Sequence, residues 1–167
     1  RRFGLHVETI EGDMCDLGAL VEAGRTYDLV YQPVSSDYVP DVNAVYREVA
    51  RVLRPGGQYL VTHWNPLYWQ LDERWDDGYR VVRPQRPGQG LLQEFWEIDG
   101  QRVPIGTMEF FHPLDDLIGG LCRAGFVIED FREGDRGDPD APPGSWEHLR
   151  SFFPPLLAIK ARRVHPR

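Results

Sequence analysis

The chain has 167 residues, which is enough for one domain with a sizeable core and too few for two domains of ordinary size. Hydrophobic residues make up 41% of it and charged residues 27%, as is usual for soluble globular proteins. The formal net charge of −7 argues against nucleic acid as a main partner, because phosphate binding requires a positive surface.

Residue usage and the first residue of the chain give four further expectations. Cys15 and Cys122 lie far apart and outside any CxxC or His-rich context, which indicates free thiols in a reducing cytoplasm and no metal site. No apolar run approaches the roughly 18 residues of a membrane span, so no membrane partner is expected. Lys160 is the only lysine among 19 basic residues, a bias typical of a GC-rich bacterial coding sequence. Because the chain begins at Arg1 rather than at Met, we expect it to be processed or to be a fragment.

The N-terminal quarter predicts two strands and a short helix. A β-rich run from Val7 to Ile10 leads into the loop "EGDMCDL". A brief helix is predicted from Leu17 to Ala23, with Gly24 as its stop signal. "YDLVYQ", from Tyr27 to Gln32, is mostly apolar and is typical of a central parallel strand.

The next segment predicts a helix that turns directly into a strand. Its apolar residues recur at helical spacing from Val42 to Leu53, and Asp41 is placed to cap the first turn. Pro55 cannot continue the helix, and Gly56-Gly57 lets the chain turn back at little steric cost. The following strand, Gly57 to Thr62, should end at the ligand crevice of an α/β unit.

The second half begins with an aromatic, charged excursion over residues 67–111. Within it, Asp99-Gly100 separates two alternating runs, the strongest hairpin signal in the chain. Pro113 suits the first turn of a helix, although Gly119-Gly120 inside that helix costs about 1 kcal/mol per glycine. The strands "FVIEDF" and "FPPLLAIKAR" follow, with the polar loop "REGDRGDPDAPPGS" between them.

Five stretches, in this order and with these gaps, resemble the latter part of class I S-adenosylmethionine (SAM)-dependent methyltransferases. They are "VETIEGDMCDL", "YDLVYQ", "VYREVARVLRPGGQYLV", "LDDLIGGLCRAGFVIEDFRE" and "PPLLAIKARR". The resemblance implies a Rossmann-like α/β fold whose mostly parallel sheet carries an antiparallel C-terminal strand. It divides one partial domain into cofactor-side units (1–66), the excursion and hairpin (67–111) and a C-terminal helix with a strand pair (112–167).

The glycine-rich loop of this family is missing from the chain. Nothing like GxGxG occurs in the sequence, and the family's first two strands have no counterpart. In the family's sheet order, 3-2-1-4-5-7-6, those strands lie between the third and the fourth. We therefore expect a fragment that is inactive alone, binds SAM negligibly and tends to aggregate or dimerise.

The resemblance also implies which residues meet the cofactor, SAM. Asp13 would accept a hydrogen bond from the adenine amino group, and Met14 would contact the adenine ring. Gln32 and Pro33 end the fourth strand, where the methionine part of SAM would lie. The alternatives are that Asp13 only forms a turn, that Met14 is a core residue and that the strand simply ends at Pro33.

The expected methyl acceptor is a small molecule at the ends of the fourth and fifth strands. Tyr38, in the loop "SSDYVPD", and Trp64 and Asn65 are the candidate acceptor-binding residues. His63 is the candidate general base if the acceptor holds a proton of high pKa, and a structural histidine otherwise.

The aromatic residues of the excursion suggest a lid over the acceptor; these are Trp64, Tyr68, Trp69, Trp75, Tyr79, Phe95 and Trp96. Alternatively, they pack on the domain's own core.

Two rival functions remain open. One is a non-catalytic, methyltransferase-like interaction module that does not bind SAM. The other is a nicotinamide-dependent oxidoreductase, against which the PGG turn and the C-terminal strand pair argue.

Overall fold

A computed structural model describes residues 4, 6–19, 21, 24–98, 101–134 and 136–164. Its helices and strands are, in chain order, β1 (Tyr27–Pro33), α1 (Val42–Val52), β2 (Leu53–Trp64), β3 (Leu71–Asp72), β4 (Arg80–Val81), β5 (Gly90–Ile98), β6 (Gln101–Phe110), α2 (Gly120–Arg123), β7 (Phe126–Gly134), α3 (Trp146–Phe152) and β8 (Leu156–Arg163). Within this part of the chain, no helix is both long and apolar enough to cross a membrane.

Four strands form the main sheet in the order β1-β2-β8-β7. β1 and β2 are parallel, whereas β8 runs antiparallel to both β2 and β7. In the notation of the resembled family this order is 4-5-7-6, so the expected antiparallel C-terminal strand is confirmed. The α/β fold with a mixed sheet is likewise confirmed.

The helix α1 covers one face of the sheet through its apolar stripe. Asp41 caps it, because its carboxylate accepts from the backbone N–H of Asn43 at 2.9 Å. Val45 and Val49 are each only 1% exposed and pack against the sheet residues Tyr59 and Val61.

The turn between α1 and β2 is tighter than the sequence predicted. The helix ends at Val52, and the strand begins at once at Leu53, so the Pro-Gly-Gly turn lies inside β2. Gly57 is required there, since a Cβ would lie 2.9 Å from the carbonyl oxygen of Arg54 and 3.2 Å from that of Asp28. The glycine therefore lets β2 lie close against its neighbours.

Two N-terminal predictions are not matched. Val7 to Ile10 is not a strand, and Val7 is 71% exposed. The reason is that no strand among the described residues pairs with this segment, and an unpaired strand is not stable in water. The helix predicted from Leu17 to Ala23 is represented by one 3₁₀ turn, Leu17–Ala19, while residues 20, 22 and 23 lie outside the described part.

The predicted hairpin is confirmed, with β5 and β6 paired antiparallel from Gly90↔Phe110 to Ile98↔Gln101. Its turn residues, Asp99 and Gly100, lie outside the described residues. The rest of the excursion contains the 3₁₀ turn Tyr68–Gln70 and the short antiparallel pair β3–β4.

The helix predicted after Pro113 is a π-helical turn, Asp115–Gly119, followed by the four residues of α2. The close packing at Gly120 explains why a glycine stands inside this helical segment. A Cβ there would lie 2.4 Å from Oδ1 of Asn43 and 3.2 Å from the ring of Tyr46, so the glycine lets α2 pack closely on α1. The helix α3 was not predicted; Ser145 caps it by accepting from the N–H of His148 at 3.2 Å.

Candidate functional site

A buried chain of hydrogen bonds lies below the C-terminal ends of β1 and β2. The hydroxyl of Ser36 lies 2.9 Å from Nδ1 of His63, and Nε2 of His63 lies 2.8 Å from the hydroxyl of Tyr46. Tyr46 in turn donates to the carbonyl oxygen of Leu117 at 3.3 Å. All three side chains are fully buried, so the chain connects the turn after β1, the end of β2 and α1 without solvent.

His63, the candidate general base, is not accessible to a substrate in this arrangement. Its side chain is 0% exposed, and both ring nitrogens are bonded within the fold. Burial, with a smaller contribution from His112, lowers the pKa of His63 to about 3. The sequence prediction placed His63 at the right strand end, but its side chain lies below the crevice, because alternation along β2 directs it toward α1.

Asp37 is a buried carboxyl group beside this chain of hydrogen bonds. One of its oxygens accepts from the backbone N–H of Trp64 at 3.2 Å, and the other lies 3.9 Å from Nδ1 of His63. Burial raises the pKa of Asp37 to about 8, with a further contribution from the charge of Glu109. Asp37 is therefore largely protonated at neutral pH and joins the turn after β1 to the end of β2.

Asn65, a candidate acceptor-binding residue, is also occupied by the fold. Its Nδ2 donates to the carbonyl oxygen of Pro154 at 3.0 Å, and its Oδ1 accepts from the N–H of Leu67 at 3.1 Å. Its backbone N–H donates to the carbonyl oxygen of Pro155 at 2.6 Å. Asn65 is only 4% exposed, and its hydrogen bonds connect the end of β2 to the segment directly before β8, so its side chain does not face a crevice.

The four cofactor-side candidates lie together at the end of β1. Nε2 of Gln32 lies 3.3 Å from the sulfur of Met14, which brings the loop around Asp13 against the strand end. Asp13 is exposed and accepts from the N–H of Cys15 through Oδ1 at 2.8 Å. Burial, and then the charge of Asp13 and a side-chain hydrogen bond with it, raise the pKa of the Cys15 thiol. Gln32 also accepts from the hydroxyl of Tyr59. Pro33, the last residue of β1, is exposed.

The backbone is strained directly after Pro33. Val34 has φ of 59°, a left-handed conformation that a β-branched residue rarely adopts. Its N–H is nevertheless held by the carbonyl oxygen of Thr62 at 2.8 Å. Strain of this kind concentrates at sites that bind or react.

A cavity of about 690 Å³ lies beyond the end of β2. Six aromatic side chains line it: Trp64, Tyr68, Trp69, Phe95, Trp96 and Trp146. Trp64 and Tyr68 are stacked with their centroids 5.6 Å apart, and Trp146 meets Tyr68 edge-on at 5.5 Å. The volume of the cavity is in the range of sites for small organic ligands.

Three charged residues also line the cavity, namely Glu73, Arg83 and Glu109. Glu109 is close enough to Tyr38 to contribute, after burial, to a raised pKa of that phenol. Tyr38 therefore lies between the end of β1 and the cavity. Sequence reasoning missed Glu109 and Trp146; the signal for Glu109 was an acidic residue in the alternating run "IGTMEFF".

Trp75 and Tyr79 do not join this aromatic wall. They pack on α3, where the hydroxyl of Tyr79 lies 2.7 Å from Nδ1 of His148 and the Trp75 ring lies 4.7 Å from the same imidazole. Phe152 completes that cluster. The predicted lid is thus divided between a cavity wall and a packing cluster.

Comparison with known proteins shows a similarity to methyltransferases. Residues 1–61 match the sequence profile of the family described as "Methyltransferase domain". The chain is 28% identical over 149 residues to the uncharacterized methyltransferase YbaJ of Bacillus subtilis, a match that covers 81% of this chain and 53% of that protein.

Two solved structures of SAM-dependent methyltransferases have a similar fold. A SAM-dependent methyltransferase from Mesorhizobium loti is 25% identical with a TM-score of 0.56, over 83% of this chain and 62% of that one. A SAM-dependent methyltransferase from Clostridium acetobutylicum has a TM-score of 0.59 at 14% identity, over 98% and 68% of the two chains.

These matches confirm the resemblance to class I SAM-dependent methyltransferases, and SAM is the cofactor named for the structural relatives. The chain spans about half the length of the Bacillus protein that it matches.

Proposed function

We propose that this chain is part of a SAM-dependent methyltransferase that methylates a small molecule bound in the aromatic cavity. The observation that carries the proposal is the position of the cavity. Its wall begins at Trp64, the last residue of β2, at the carboxyl edge where α/β sheets bind their ligands.

The residues at the end of β1 fit one wall of a SAM site. The exposed carboxylate of Asp13 could accept from the adenine amino group, a charge-assisted contact, and Met14 is the next residue in the chain. Gln32 and Pro33 would adjoin the methionine part. Bound SAM would supply an electrophilic methyl group on a sulfonium.

The protein's own contribution is then to position the acceptor and to exclude water. Trp64 and Tyr38 would contact the acceptor from the strand ends. His63 and Asn65 would act as positioning residues, because their hydrogen bonds fix the backbone from which Trp64 projects. Holding reactants in a fixed geometry accelerates a displacement, and a base is needed only to remove a proton from the acceptor atom.

We further propose that the 167 residues alone bind SAM negligibly, since they contain no glycine-rich loop. The unpaired lateral edge of β1 in the described sheet would favour self-association of the isolated chain. The alternative is a methyltransferase-like module that binds no SAM in any context and serves interactions only.

Equilibrium dialysis with labelled SAM separates these functions when the 167-residue chain is compared with the product of its complete reading frame. We expect binding by the latter, and we expect Asp13→Ala to weaken it by about 1–3 kcal/mol. Asp130→Ala, which removes an exposed carboxylate from β7, is the matched control. Absence of SAM binding by the complete protein would favour the interaction module, and micromolar binding by the monomeric 167-residue chain would refute the fragment proposal.

A further inference from the structure

Glu109 is a buried acid without a partner. It lies on β6, is 8% exposed and faces the aromatic cavity. Its carboxylate forms no hydrogen bond and no ion pair within the part of the chain that the structure describes. Two residues earlier on the same face of the strand, the buried hydroxyl of Thr107 also lacks a partner. Buried polar groups are nearly always bonded, so the hydroxyl of Thr107 has an unmet requirement, and the carboxylate of Glu109 is open to the cavity that it lines.

The local electrostatics favour a positive occupant. Burial raises the pKa of Glu109, which means that its negative charge is poorly solvated where it lies. The charge of Glu109 also contributes to the raised pKa of Asp37, after the larger effect of burial. A cation at this point would relieve both effects.

The aromatic wall has the complementary chemistry. The faces of Trp, Tyr and Phe rings attract cations through their quadrupoles. One ring of the wall already demonstrates this, because the guanidinium carbon of Arg102 lies 4.2 Å from the centroid of Phe95. The stacked pair of Trp64 and Tyr68 adds further π-surface to the same cavity.

The other two charged residues of the cavity are already engaged. Glu73 is exposed and accepts from the hydroxyl of Tyr68 at 3.3 Å. Arg83 directs its guanidinium at the carbonyl oxygen of Trp69, at 3.2 Å, and at that of Leu71, at 2.5 Å. Glu109 is therefore the charged group left to bind a ligand.

We infer that the methyl acceptor is an amine, bound as its ammonium cation with an N–H donated to the carboxylate of Glu109 and its apolar part against the aromatic wall. Before methyl transfer that proton would pass to the Glu109 carboxylate, which frees the nitrogen lone pair to form the new N–C bond as the methyl group leaves the sulfonium. This inference rests on the proposed function, because it names the acceptor class of that same cavity. A neutral alcohol or a carboxylate of the same shape would leave Glu109 unpaired or repel it.

Three probes of similar size test the inference by tryptophan fluorescence of the chain: 2-phenylethylamine, 2-phenylethanol and 3-phenylpropanoate. The amine should bind about tenfold or more tightly than the alcohol, and the carboxylate weakest, as expected for a hydrogen bond to a charged group. Glu109→Gln should reduce the affinity for the amine to that for the alcohol and leave the affinity for the alcohol unchanged.

Glu94→Gln is the matched control, because it removes the same charge from an exposed position of the same hairpin. It should leave the preference for the amine intact. Equal binding of amine and alcohol, tighter binding of the carboxylate, unchanged amine affinity in Glu109→Gln, or no response to any probe would each overturn the inference.

The SAM dialysis described above is independent of these titrations. A protein that binds SAM but does not prefer the amine retains the proposed function and loses this inference. A protein that prefers the amine but binds no SAM in its complete form retains a cation site and loses the methyltransferase proposal.

Discussion

The hydroxyl oxygen of Tyr46 lies 2.8 Å from Nε2 of His63, and both side chains are fully buried between α1 and β2. Because Tyr46 donates its own proton to the carbonyl oxygen of Leu117, it accepts from Nε2–H. Nδ1 then accepts from the hydroxyl of Ser36. Every donor in this series thus has one acceptor, and the imidazole is held neutral in one tautomer.

Removing the Tyr46 hydroxyl should destabilise the fold. Tyr46→Phe leaves Nε2–H of His63 buried without an acceptor, so the free energy of unfolding should fall by about 1–3 kcal/mol in urea titrations. Tyr31→Phe, at a site that is 67% exposed, should change it by less than about 0.5 kcal/mol. Equal losses in the two variants would contradict the buried hydrogen-bond series.

Asp37 should make stability decrease as the pH rises. Its pKa is about 8 in the folded protein against 3.8 ordinarily, so the folded state keeps a proton that the unfolded state releases between about pH 4 and 8. The stabilisation is complete below pH 4 and is lost as the pH passes through 8. His63 contributes little to the change of stability between pH 7 and pH 8. Its pKa is 6.5 in the unfolded chain and about 3 in the folded protein, so it is mostly neutral in both states above pH 7.

The matching measurement is urea unfolding at pH 7 and pH 8. The wild-type chain should lose up to about 1.4 kcal/mol between these values through Asp37. Asp37→Asn keeps an acceptor for the N–H of Trp64 and should lose less. Parallel pH profiles for the two proteins would show that Asp37 is ionised in the fold.

Gly119, which directly precedes α2, and Gly120, its first residue, should respond oppositely to alanine. At Gly120 a Cβ would lie 2.4 Å from Oδ1 of Asn43, so Gly120→Ala should destabilise by about 1–3 kcal/mol through overpacking. At Gly119 a Cβ would meet mainly the flexible guanidinium of Arg123, at 2.8 Å. Gly119→Ala should therefore stabilise by up to about 1 kcal/mol through helix propensity. Thermal unfolding of both variants measures the difference, and the same sign of change in both would be inconsistent with it.

Glu109→Gln should make the chain more stable at neutral pH. Burial raises the pKa of Glu109, so its stabilising proton is fully bound below the ordinary pKa of 4.5 and is lost as the pH rises. The urea midpoint of the variant should exceed that of the wild type at pH 7, and the difference should shrink toward pH 4. A lower midpoint at pH 7 would indicate that the carboxylate has a stabilising partner.

The sequence predicted those parts of the fold that local patterns determine. The stripe of α1, the cap at Asp41 and the hairpin were visible because their periodicity and turn residues lie close together in the chain. The segment Val7 to Ile10 was predicted as a strand from composition alone, and strand formation depends on a neighbour that composition does not supply.

The candidate site was predictable as a place and less so as a set of side chains. Trp64, expected at a strand end, lines the cavity, since strand ends define crevices, and its contact with an acceptor stays a prediction. His63 and Asn65 do not face the cavity as expected. The side chain of His63 points inward because side chains alternate along β2, and Asn65 is hydrogen-bonded to the backbone of Pro154 and Pro155, which is distant in sequence. Glu109 and Trp146 reach the cavity from separate elements, a convergence that only the tertiary structure specifies.

The antiparallel strand β8 lies between β2 and β7, although it is the last strand of the chain to be synthesised. Pairs such as Gln58↔Arg162 join residues more than a hundred positions apart, so the sheet closes only after large loops have been ordered. During synthesis on the ribosome, β2 and β7 therefore each have one edge without a hydrogen-bonded neighbour until residues 156–163 emerge. That interval exposes apolar strands, and it makes the nascent chain a natural client for chaperones before its cavity exists.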